Sequence, residues 1–177
     1  MGVIMNKLFL VVAMASGLAL GTANAKDSGH GTITFTGSII DAPCSITSET
    51  ANQTVDLNEV SNVALKNGGT SNPKPFVIKL EQCDISTLKT VKTTFSGAAS
   101  AGNPDLLGIT GTAKGASIAI TDGSGTVIKL GQASKAQTLL EGNNTLEFSA
   151  YLQGDGGSAV IVPGAFQSVA DFRLDYQ

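Results

Sequence analysis

Between residues 32 and 176, apolar side chains recur at every second position in short segments bounded by Gly, Asn, Asp and Pro. No stretch sustains a helical period for three turns. The alternation predicts strands over 32–40, 54–57, 76–80, 91–95, 117–120, 127–130, 145–152 and 165–176. So many short strands in one chain point to an all-β sandwich of the immunoglobulin-like kind. The segment 117–130 carries a hairpin signal, with Asp122-Gly123 suited to φ > 0 at the turn. A second pairing is expected around Glu141-Gly142-Asn143-Asn144, between Leu139-Leu140 and Thr145-Phe148. Asn72-Pro73 and Asn103-Pro104 mark loops. With no internal repeat and no long Pro/Gly/Ser linker, the body of the chain is expected to be one domain.

The two ends carry the least ordinary patterns. Gly29, Gly31, Ile33, Phe35, Gly37 and Ile39 share one face, while His30, Thr32, Thr34, Thr36 and Ser38 share the other. This is either the first strand of the domain's own sandwich or a strand offered to another molecule's sheet. The residues before it, 26–31, are small and polar and carry no hydrophobic anchor. At the other end Phe166, Ser168, Ala170, Phe172, Leu174 and Tyr176 share a face, opposite Gln167, Val169, Asp171, Arg173 and Asp175. This is either a last strand buried among neighbours or one left at an open edge, which a partner must cover.

Ahead of these strands, residues 8–20 form an apolar run preceded by Lys7 and followed by the small-residue tripeptide Ala23-Asn24-Ala25. The run is short for a membrane span and fits a secretory signal peptide, 1–25, cut after Ala25. Export alters what the two cysteines mean. Cys44 and Cys83 are the only pair in the sequence, and an oxidising compartment favours a structural disulfide between them. Without a CxxC arrangement, a redox-active pair is the poorer reading.

Composition removes several function classes. The 177 residues include 11 Lys+Arg against 14 Asp+Glu, for a net charge of −3, and there is no basic run to meet a phosphate backbone. Nucleic acid is therefore excluded as a partner. One His and two Cys do not make a four-ligand zinc site. Nucleophilic catalysis needs a base beside a hydroxyl or thiol, and the single imidazole, His30, stands between two glycines near the chain's start. The carboxylates are scattered singly rather than opposed as in glycosidases. Gly123-Ser124-Gly125-Thr126 lacks the third Gly of a phosphate loop, and Asp155 in its glycine-rich loop is a single carboxylate, too few for calcium. Two glycosylation sequons, beginning at Asn52 and Asn143, have meaning only in a host that glycosylates secreted proteins. No catalytic residue, metal ligand or cofactor is expected, and the chain does not read as an enzyme.

Taken together, the ends and the cysteines resemble the major pilin subunits of chaperone–usher fimbriae, closest to those of type 1, P and MR/P-like pili. The resemblance covers the whole exported chain. Its markers are Gly29-His30-Gly31-Thr32-Ile33-Thr34-Phe35-Thr36-Gly37, the block Asp41-Ala42-Pro43-Cys44-Ser45-Ile46, Cys83 after Leu80-Glu81-Gln82, Gly164, and the penultimate Tyr176. It implies an incomplete immunoglobulin-like sandwich, the pilin fold, lacking its last strand and open along a hydrophobic groove. It further implies an N-terminal donor-strand extension over 26–38 and a pilin domain over 39–177. Gly29, Gly31, Ile33 and Phe35 would be the donated residues, the glycines meeting a shallow part of a neighbour's groove. Gly164, Phe166, Phe172, Leu174 and Tyr176 would mark the C-terminal strand, at the groove or in the core beneath it. The implied partners are other copies of the chain, other pilus subunits, a periplasmic chaperone that first lends a strand, and an outer-membrane usher where subunits exchange it. The implied destination is a fimbrium on the bacterial surface.

Two alternatives remain beside the major structural subunit. A minor or adaptor subunit would share both ends. A secreted carbohydrate-binding sandwich would need an exposed aromatic platform, and the chain has no Trp and few aromatics. A tip adhesin would require a further sugar-binding domain for which the length leaves no room.

Overall fold

The computed structural model describes residues 30–177, so the signal segment, its cleavage point and Gly29 lie outside the described residues. The chain divides into two units, 1–39 and 40–177. In the first, residues 30–39 have no regular secondary structure and every one is exposed. The strand expected over 32–40 is therefore not formed. Its alternation is real, but a lone strand has no intramolecular way to satisfy its backbone without a partner strand.

The second unit is a two-layer β-sandwich. Its strands are β1 (Ser45–Ile46), β2 (Lys74–Cys83), β3 (Thr90–Gly97), β4 (Leu107–Gly108), β5 (Thr110–Gly111), β6 (Ala116–Asp122), β7 (Val127–Ile128), β8 (Gln137–Thr138), β9 (Gly142–Gly154), β10 (Phe166–Gln167) and β11 (Ala170–Tyr176). One sheet has the order β1-β2-β9-β6-β4, with β7 also paired to β6; the other has the order β11-β3-β8; β10 pairs with β5. Every pairing is antiparallel. Inward residues of the two sheets meet in one cluster: Ile78, Leu80, Leu146 and Phe148 from the first against Val91 and Phe95 from the second. Phe148 stacks on Phe76 with ring centroids 5.5 Å apart and meets Phe95 edge-on at 5.2 Å. Cys44 and Cys83 are joined, tying the entry to β1 to the end of β2.

Four expectations need correction. The segment 54–57 alternates as predicted, with Val55 and Leu57 half-buried and Thr54 and Asp56 exposed, yet it joins no sheet. The expected strand 165–176 is broken at Ser168-Val169, where the chain leaves β5 and takes up pairing with β3. Ser168 marks the switch by donating its hydroxyl to the Gly108 carbonyl at 2.6 Å. In the β6–β7 hairpin the left-handed residue is Gly125 (φ 81°), not Asp122 or Gly123. There Asp122 ends its strand and its carboxylate takes hydrogen bonds from the Ser124 and Thr126 amides instead, at 3.0 and 2.9 Å. Finally, 139–140 does not pair with 145–148: the chain passes from β8 beside β3 to β9 beside β2, crossing between sheets. Asn144 fixes that crossing by bonding both backbone groups of Leu140 at 2.8 Å.

Candidate functional site

A groove of about 1680 Å³ runs along the sandwich of residues 40–177. Its floor is the second hydrophobic cluster, in which Leu65, Leu107, Ile118, Ala150 and Leu152 are buried while Leu57, Val60, Phe76, Ile109, Ile161 and Phe166 are only partly covered. Phe76, Phe95 and Phe172 also line the groove. An apolar trough of this size, left in water, is the kind of surface that marks a binding groove rather than a finished core.

The backbone bordering it is unusual. Among the described residues, β11 has β3 on one side and no strand on the other. The 50–62 stretch also lines the groove, and within it residues 53–60 make no backbone–backbone hydrogen bond among the described residues. Among the described residues, the one hydrogen bond their backbone amides make is from Asn58 to the Asp56 carboxylate at 2.7 Å, a local turn with Asn58 at φ 57°. Two stretches whose backbone has no strand partner among the described residues therefore border one apolar groove. Such edges are templates for a further strand. A strand entering here can take hydrogen bonds from the backbone and bury alternate side chains on the floor.

The predicted residues fall into three groups. Phe166 and Phe172 line the groove. Gly164 lines it too, and its place is one of close approach: a Cβ there would meet the Thr112 hydroxyl and stand 2.7 Å from the Ala113 amide nitrogen. Leu174 and Tyr176 lie further along β11 and pack on the inter-sheet core with Val91 and Leu139 rather than on the groove. Burial holds the Tyr176 phenol above its usual range, and its hydroxyl is enclosed with no hydrogen-bond partner among the described residues. In the other unit, Ile33 and Phe35 are 79% and 89% exposed, and Gly31 has open space around its Cα. Gly29 lies outside the described residues.

What the sequence reading missed is most of the floor and the whole of the second border. Ile109, Ile118, Leu152 and Ile161 come from four separate segments, and nothing in a linear pattern says that they share a surface. The border at 53–60 had a signal, the alternation of Val55 and Leu57, but a strand pattern does not reveal that its partner is missing.

The model of the family described as Fimbrial protein matches residues 33–177. The chain belongs to the fimbrial protein family. Fimbria A protein of Serratia marcescens is 66% identical over 173 residues, covering 98% of this chain and 99% of that one. The major MR/P fimbria protein of Proteus mirabilis is 53% identical over 174 residues, again covering 98% and 99%. Among solved structures, a chain from a chaperone–usher pilus described for its rod uncoiling superposes with a TM-score of 0.74 at 34% identity, covering 85% of this chain and 97% of that one. The open groove is thus that of a fimbrial subunit with an incomplete immunoglobulin-like sandwich. This fimbrial protein is a structural component of a fimbria on the cell surface.

Proposed function

We propose that this fimbrial subunit polymerises by donor-strand exchange, the extension over 26–38 of one copy completing the pilin domain, 39–177, of the next. The observation that carries this reading is the groove whose two borders, β11 and 53–60, both lack a neighbouring strand among the described residues. Gly29, Gly31, Ile33 and Phe35 are the donated residues. Burying Ile33 and Phe35 in a neighbour is favourable by about 1.5–3 kcal/mol each, in addition to a ladder of backbone hydrogen bonds. The contact is head-to-tail and does not close on itself, so it builds a fibre.

In the same reading the precursor is exported with residues 1–25 removed, a periplasmic chaperone lends a strand to the groove, and an outer-membrane usher replaces it with the next subunit's extension. The work is mechanical, and the protein has no reaction to catalyse and needs no cofactor. The experiment is to purify residues 26–177 with Ile33 and Phe35 both changed to Ser and to compare polymer size with the parent. Loss of polymers from a variant that keeps its disulfide and its cooperative melting is the expected result. Undiminished polymers would overturn the reading.

A further inference from the structure

The way 53–60 is held beside the groove depends on side chains rather than on a sheet. After β1 pairs Ser45 with Glu81 and Ile46 with Leu80, only one more backbone rung follows, the Thr47 amide to the Lys79 carbonyl at 3.0 Å. The chain then makes the short turn α1 (Ser48–Ala51) and leaves the edge of β2. Two of the exposed edge groups of β2 are nevertheless satisfied. The Lys79 amide donates to the hydroxyl of Thr50, which is buried, at 3.1 Å. The Val77 carbonyl accepts from the Gln53 amide nitrogen at 3.0 Å. That same nitrogen donates to the Thr50 carbonyl at 3.2 Å. Thr50 and Gln53 thus continue the β2 ladder with side-chain atoms where the backbone has departed. Both ends of this clamp have fixed positions, one in β2 and one in the turn, and Gln53 lies at the start of the stretch that, among the described residues, makes no backbone–backbone hydrogen bond.

We propose that Gln53 is a positioning residue for strand capture: its amide pins the start of 53–57 to β2 and so presents that segment's free backbone to the incoming strand of a second copy. This rests on the donor-strand reading and adds to it the residue that pre-forms one wall of the acceptor. The chemistry required is specific. Two carbonyl oxygens converge on one nitrogen, so the group must donate twice; a carboxylate of the same shape can only accept and would be repelled by both.

The test uses residues 26–177 with Ile33→Ser and Phe35→Ser as acceptor, so that its own extension does not compete, and a synthetic peptide of the unaltered residues 26–40 as probe. Gln53→Glu is expected to weaken peptide binding about 10-fold at pH 7 relative to the parent acceptor, the scale of one or two net hydrogen bonds turned unfavourable. Near pH 4, where a Glu is about half protonated or more and its carboxyl can donate once, part of that loss should return. Gln53→Ala should weaken binding by a few-fold at both pH values, as expected for about one net hydrogen bond. Binding by both variants equal to that of the parent, or a Gln53→Glu loss that does not change with pH, overturns the role of Gln53 while leaving strand capture intact. A parent acceptor that ignores the peptide overturns both.

Discussion

Asp122 shows how one side chain can hold a turn that lacks the expected backbone geometry. Its carboxylate sits at the end of β6, where burial alone would raise its pKa. The hydroxyl and amide of Ser124, the amide of Thr126 and the nearby charge of Lys135 outweigh that and hold it below the ordinary range. The folded protein therefore binds this proton less readily than the unfolded chain. The contribution to stability is complete above about pH 4, the ordinary Asp value, and is lost as pH falls through the lower folded value. Urea midpoints of the parent and of Asp122→Asn, measured from pH 6 down to pH 3, should converge as the acid limit is approached. A gap that stays constant with pH would show that the carboxylate's charge does not hold the turn. The glycines tell a related story about space: Gly164 is required where the chain crosses Thr112 and Ala113, a backbone contact with no room for a methyl group.

At the scale of elements, the disulfide and the strand switches decide what is stable and what stays open. Cys44 and Cys83 are 39 positions apart, and closing a loop of roughly 40 residues is favourable by about 4 kcal/mol in the chain-entropy account. Replacing both by Ala should lower the unfolding free energy by about that amount, read from denaturant melts, and a loss below about 1 kcal/mol would contradict the account. The strands most legible in the sequence are those with a buried face and a partner on each side. Residues 76–80, 91–95, 117–120 and 145–152 all fall inside observed strands. The break at Ser168-Val169 was hidden because Phe166, Ser168, Ala170 and Phe172 keep one alternation phase while the partner changes from β5 to β3. The hairpin was legible but its turn was not, since both Gly123 and Gly125 can supply φ > 0 and side-chain bonds to Asp122 select the second. The segment 54–57 was legible as a strand and remains without a ladder, because periodicity records which side chains face inward and not whether a neighbour exists.

For the whole molecule, the consequence is a domain whose hydrophobic floor and paired open edges are matched by a separate stretch of exposed alternating residues. Ile33 and Phe35 present apolar side chains to water, and among the described residues β11, which borders the apolar groove, has no strand on its open side. In the donor-strand reading a structural subunit needs both features at once, and the fimbrial relatives match across nearly their whole length. The central claim is that the domain is one strand short and takes that strand from another chain. The direct measurement is thermal unfolding of residues 26–177 carrying Ile33→Ser and Phe35→Ser, with and without an equimolar peptide of residues 26–40. A large rise in melting temperature with the peptide is predicted, since the ligand binds the folded state alone. An unchanged melting temperature would mean that the sandwich is already complete and that the groove is not a strand acceptor.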